Sequence, residues 1–283
     1  QYPISNSPSM TDDNLTEKTS FREGILSMLL ARPWGIALIY LLVLTLAEVV
    51  TILVDPRAGM ILHGSILLVV TLLAATSPSK KELQFLLPLA LPPLIRLLSL
   101  SLPLTNFQLN YWYAIIGIPL LITIILIVRA TSLNSEKIGL RISWRELPVQ
   151  LLIGLSGLLL GYGEYLILHP EPIVIEPSWE QILITVMILM LFTGFLEELI
   201  FRGVMQVSES QMLGNAGLIF VALVFSVLHI GYRSILDVIF VLGVAIYFGL
   251  MVQRYKTLLG VSIAHGLINV SLYLIYPFLV AIN

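Results

Sequence analysis

Residues 180–206 read EQILITVMILMLFTGFLEELIFRGVMQ. A bilayer core is roughly 30 Å thick, so a spanning helix needs about 20 mostly apolar residues. This run exceeds that length and is expected to tilt or protrude. Near its end it carries Glu197 and Glu198 side by side, with Arg202 one turn later. A charged side chain near mid-membrane costs about 2.5–3.5 kcal/mol, so such groups face the interior of a bundle or a water-filled cavity. The stretch therefore predicts a membrane-spanning helix with one chemically active face.

The rest of the chain agrees with it. Of 283 residues 58% are hydrophobic and 11% charged, against about 25% charged in a soluble domain, and mean hydropathy is +0.96. The fold class implied is all-α: a polytopic transmembrane helical bundle of about eight to nine spans, with its site in a cavity between the last helices. There is no cysteine, which excludes disulfides, iron–sulfur clusters, thiolate zinc sites and a cysteine nucleophile. A net charge of −2 without a basic block gives no sign of nucleic-acid binding, and contact with anionic lipid would be local.

Three regions follow: a polar N-terminal segment over 1–33, N-terminal transmembrane helices over 34–148, and a catalytic transmembrane region over 149–283. The first ten residues read as a polar tail, not a signal peptide, because no basic segment and short apolar core precede Met10. FREGILSMLLAR, 21–32, suits a short interfacial helix. Apolar runs then cover 34–54, 60–75, 83–104, 112–128, 149–168, 180–206, 216–230, 235–253 and 258–282. The third holds Pro88, Pro92 and Pro93 and should be kinked or broken. Tyr111, Trp112 and Tyr113 suit an interfacial anchor, and Gly154, Gly157 and Gly161 permit close helix approach. With nine spans, the lysine and arginine clusters fall on one side, which places the N-terminus inside and the C-terminus outside.

Spacing assigns the polar groups to faces. Glu198 and Arg202, at i and i+4, share a face and can pair, while Glu197 points about 100° away, free to face a cavity. FSVLHIG puts Phe225 one turn before His229, and AHGLINV puts His265 and Asn269 on one face. Each group has a plainer reading: a structural ion pair, a helix-end histidine, interhelical hydrogen bonds. Two adjacent acids with one base nevertheless leave a surplus charge. Glu48, Arg96 and Glu164 lack a companion motif and read as bundle-interior or interfacial residues; Asp237 suits a helix N-terminus. His63 and His169 read as interfacial or loop residues, and Gly243 and Gly249 as close-packing positions. A glutamate with two histidines is also a zinc set, although no HExxH motif is present.

In order, EExxxR (Glu197, Glu198, Arg202), FxxxH (Phe225, His229) and HxxxN (His265, Asn269) resemble the CPBP family. That family joins CAAX prenyl endopeptidases of the Rce1 type to prokaryotic Abi proteins, and the resemblance covers about 149–276. It implies a metal-independent glutamate protease without a cofactor. By that resemblance Glu197 would activate a water, His229 would hold and polarise it, and Glu198 with Arg202 would orient the site. His265 and Asn269 would donate to the oxyanion, with Phe225 packed alongside. It further implies a multi-pass protein of the prokaryotic plasma membrane, surrounded by lipid. The substrate would be a membrane-associated peptide or protein: a prenylated CAAX terminus, a bacteriocin leader or another membrane segment.

Two alternatives stand beside it. One is a non-catalytic scaffold or immunity protein that binds a membrane-protein partner. The other is a transporter using Glu164, Glu197, Glu198 and Asp237, which predicts broken helices in paired repeats, and the sequence contains no such repeat. One geometric conflict also needs resolving. If the seventh helix rises from Gly214, level with the start of the last at 258, His229 lies about 22 Å along its helix and His265 only about 10 Å.

Overall fold

The computed structural model describes residues 33–174 and 178–281; the interfacial helix expected over 21–32 lies outside them. Among the described residues all regular structure is helical, and eight helices are long and apolar enough to cross a membrane. The protein is an integral, multi-pass membrane protein. The long helices are α1 (Pro33–Leu53), α2 (Pro56–Ala75), α3 (Lys80–Ser101), α4 (Leu109–Thr131), α5 (Leu147–Leu168) and α6 (Trp179–Leu213). A shorter apolar helix follows, α7 (Ala216–Tyr232), then α8 (Ile235–Tyr255) and α9 (Leu259–Val280). The chain divides into two compact units, 1–42 and 43–283. The described part of the first is the opening half of α1, and every contact below lies within the second.

Local chemistry sets the boundaries. Asp55 caps α2 by accepting from the Arg57 N–H, with Pro56 at the first helical position, where its missing N–H is harmless. In α3 the prolines produce a 3₁₀ segment, Leu87–Ala90, between Lys80–Leu86 and Leu91–Ser101. The run is thus interrupted without being broken. Ser178 and Gln181 form a reciprocal capping box at the start of α6.

Two expectations need correction. α6 does not stop at 206; it runs 35 residues to Leu213, about 52 Å at 1.5 Å per residue, and overshoots a bilayer core. The run over 216–230 is not a ninth full-length span, because α7 is short and its last turn, Leu228–Tyr232, is 3₁₀. Gly214 joins the two helices at φ +62°, a backbone region that glycine enters without a Cβ penalty. Glu197 and His229 lie on opposite arms of this hairpin at similar distances from the turn, so they come level.

The helix-depth conflict comes from its premise that α7 and α9 start level. Leu258, just before α9, donates its N–H to the Gly139 carbonyl at 3.0 Å. Its side chain lies where a Cβ on Gly203 would meet it at 3.3 Å. α9 therefore begins beside Gly203, about 16 Å up α6 from the Gly214 turn. From there α9 runs beside the upper part of α6, which brings His265 level with Glu198.

Close helix approach fixes that register. A Cβ on Gly154, Gly157 or Gly161 of α5 would lie 2.7, 2.2 and 2.7 Å from Ile263, the Ala264 carbonyl oxygen and Ser271 of α9. On the other flank, Gly194 of α6 sits against the backbone of Ser262 and Gly266. α9 is thus held between α5 and α6 at backbone contact, as small residues allow between membrane helices.

Candidate active site

α6 departs from α-helical hydrogen bonding on both sides of the glutamates. Leu189–Phe195 and Leu199–Met205 are π-helical, with Leu196–Glu198 between them. A π turn shifts the angular register of the side chains that follow, and such turns recur at functional sites. Here the two turns bracket the residues that carry the charge.

Glu198 is fully buried and anchors a chain of polar contacts. Its Oε1 accepts from Arg202 Nη1 at 2.7 Å and from His265 Nδ1–H at 2.8 Å. The Arg202 guanidinium lies 4.6 Å above the Phe225 ring and 5.6 Å from that of Phe248, cation–π contacts that suit a desolvated cation. Phe225 also packs edge-on against Phe201 at 4.8 Å and His265 at 5.9 Å. It thereby fixes the guanidinium and one imidazole together.

With Nδ1–H committed to Glu198, the other ring nitrogen of His265 faces Glu197, 3.8 Å from its Oε2. The Glu197 side chain keeps 31% of its surface exposed, whereas Glu198 keeps none. The two adjacent acids thus occupy different environments, one tied into the protein and one open to a cavity. His229 Nδ1–H donates to the Phe225 carbonyl at 3.2 Å, and its ring stacks on Tyr232 at 5.6 Å. That leaves its Nε2 for another partner. Asn269 Nδ2 donates to Thr193 Oγ1 at 2.9 Å, and Thr193 in turn donates to the Leu189 carbonyl.

Glu197, His229, His265 and Asn269 line a common cavity of about 230 Å³, walled also by Arg96, Tyr113, Thr193, Phe225 and Tyr232. A smaller space of about 30 Å³ on the far side of the two imidazoles is bounded by Glu164, His229, His265 and Asn269. That is room for one water with several polar partners. Glu198 and Arg202 do not line the larger cavity and stand behind it. Among the described residues, no group of three or more His, Asp or Glu side chains is arranged to hold a metal ion.

Sequence spacing missed Arg96. Its Nε donates to Glu48 Oε1 at 2.8 Å, its Nη2 lies 2.8 Å from Glu48 Oε2, and Nη2 also donates to the Leu228 carbonyl at 2.8 Å. His63, expected at an interface or loop, is instead fully buried with Nε2 3.5 Å from Glu48 Oε1. Arg96 therefore clamps the residue next to His229 from α3. The charges in apolar runs were a signal, but the partner lies 48 residues away, beyond any helical spacing rule. Thr193 gave no signal at all. Gly249 is tightly packed against Gln206 and Leu218, whereas a Cβ on Gly243 would have nothing within 4 Å, so Gly243 is not a packing position.

Residues 179–271 match the family model described as type II CAAX prenyl endopeptidase Rce1-like, and this segment contains all six polar motif residues. No curated protein and no solved structure matches the chain.

Proposed function

We propose that this chain, with its Rce1-like segment, is an intramembrane endopeptidase that hydrolyses peptide bonds of membrane-associated substrates with a glutamate-activated water. The observation that carries the reading is the division of labour between the adjacent acids. Glu198 is locked to Arg202 and His265, while Glu197 is open to the cavity that His229, His265 and Asn269 also line.

Glu197 takes a proton from water as the water oxygen bonds to the scissile carbonyl carbon, the work of a general base within reach of its proton. His229 accepts the other water hydrogen at Nε2, since Nδ1–H is held by the Phe225 carbonyl. The carbonyl oxygen becomes an oxyanion, which Asn269 Nδ2–H and His265 Nε2–H stabilise where the charge develops. His265 can donate from Nε2 only when doubly protonated, because Nδ1–H already bonds Glu198. Two carboxylates, one guanidinium and one imidazolium then balance, and the apparent surplus charge disappears. On collapse the carbon–nitrogen bond breaks and Glu197 returns the proton to the leaving amine.

The family match and resemblance favour a prenylated CAAX terminus, or another membrane-bound peptide such as a bacteriocin leader, in a prokaryotic plasma membrane. The test compares wild type with Glu197→Gln on prenylated and unprenylated membrane peptides, each with and without chelator. Cleavage by wild type that chelator leaves intact and the variant lacks is the expected result. Equal cleavage by both proteins overturns the glutamate-base mechanism, loss with chelator points to a metal, and no cleavage by wild type supports a non-catalytic scaffold.

A further inference from the structure

On the far side of Arg202 from Glu197 lies a second, larger cavity of about 510 Å³, built from the α4–α5 connection, the last third of α6 and the end of α8. Its walls include Lys137, Arg141, Arg202, Gln206 and Lys256, with Glu136 the one carboxylate among them. Arg202 is 1% exposed. It spends Nη1 on Glu198, while its Nη2 is buried without a hydrogen-bond partner among the described residues. Arg141 binds Glu146 and the Tyr255 carbonyl through Nη2, and its Nε is likewise buried without a partner. Two guanidinium groups on different elements that wall this cavity thus each keep a buried N–H donor without a partner among the described residues. A buried donor left unpaired costs about 1–3 kcal/mol, so an acceptor there is favoured.

Charge narrows the acceptor to an anion. Glu198 offsets Arg202 and Glu146 offsets Arg141, which leaves exposed Lys137 and Lys256 at the rim against Glu136. Planar guanidinium forks suit an oxyanion with several acceptor oxygens, phosphate above all. Lys137 and Arg141 lie in the α4–α5 connection and Lys256 just past the end of α8, the level at which lipid headgroups lie, and basic pockets between helices there hold phosphate headgroups.

We propose that this cavity binds a phosphate-bearing anion through Arg141, Arg202, Lys137 and Lys256. The site goes beyond the peptidase reading and does not depend on it. Through Arg202 it adjoins the Glu198–His265 chain without sharing the substrate cavity.

The purified full chain would be assayed in two arms. Native mass spectrometry would compare retention of phosphatidylglycerol with phosphatidylcholine, and thermal unfolding in detergent would be titrated with inorganic phosphate against chloride at equal ionic strength. Saturable binding is expected in at least one arm, weakened about thirtyfold in a Lys137→Ala/Lys256→Ala double variant and also in Arg141→Gln. Selective retention of phosphatidylglycerol without a phosphate effect identifies a lipid headgroup, and stabilisation by inorganic phosphate identifies free phosphate as sufficient. No saturable binding in either arm, or wild-type affinity in both variants, overturns the proposal. The lysine variant leaves the buried packing intact, so its result is readable even where Arg141→Gln fails to fold.

Discussion

Gly157→Ala tests whether the backbone contact between α5 and α9 positions the site. The added Cβ would sit 2.2 Å from the Ala264 carbonyl oxygen, and ordinary contact begins at 3.4 Å, so the helices must separate by about 1.2 Å (3.4 − 2.2). The obstacle is main chain, and no rotamer change can relieve it. Overpacking of this kind costs about 1–3 kcal/mol. Ala264 immediately precedes His265, and Gly194 of α6 blocks α9 on its other flank, so the same displacement drives the imidazole out of register with Glu198 Oε1, which it meets at 2.8 Å, and breaks the bond geometry. Misplacement of a reacting group by 1 Å can cost about 100-fold in rate. The assay pairs thermal unfolding, followed by circular dichroism, with the initial rate on a peptide that wild type cleaves. Gly243→Ala and Gly64→Ala, where a Cβ meets nothing within 4 Å, serve as matched controls. A Gly157→Ala protein with the controls' midpoint and rate would refute the argument. A lowered midpoint with an unchanged rate would separate packing from positioning.

Glu198→Gln removes the carboxylate facing Arg202, which is 1% exposed, and leaves a buried cation without its counter-charge. Loss of about 3–5 kcal/mol is expected, with part regained in Glu198→Gln/Arg202→Met; chemical denaturation checks both, and a wild-type midpoint for the single variant would contradict the buried pair. Arg96→Lys keeps the charge, but one ammonium cannot reproduce the fork that spans Glu48 and the Leu228 carbonyl. A fall of about tenfold in kcat with little change in KM is expected if the clamp serves His229 in the transition state; a change confined to KM would count against it. Thr193→Val deprives the Asn269 amide of its 2.9 Å acceptor, so kcat should fall by about 10-fold while the unfolding midpoint moves little. An unchanged rate would mean that Asn269 is oriented by something else.

Hydropathy made the membrane class and most helix positions legible, because bilayer thickness sets helix length independently of tertiary detail. It failed where protein, not lipid, decides. The end of α6 was missed because 207–213 is too polar for a span yet continues the helix beside α7, with Ser208 and Glu209 buried there. The π turns were invisible for a related reason, since they arise from how α6 meets its neighbours and no residue type in LMLFTGF requires one. The i,i+4 rule correctly grouped Glu198 with Arg202, yet it sees only one helix at a time.

That limitation accounts for the charge surplus that made the site conspicuous. Counted along α6 alone, Glu197 and Glu198 outnumber Arg202, and the excess singles the helix out. Across the bundle a third partner arrives from α9, His265, 67 residues away. With His265 doubly protonated, as the proposed mechanism requires, the excess carboxylate is half of an interhelical pair. A family of contacts that spans α5, α6 and α9 holds that pair, and this is why a methyl group on Gly157, touching neither carboxylate, is expected to disable both.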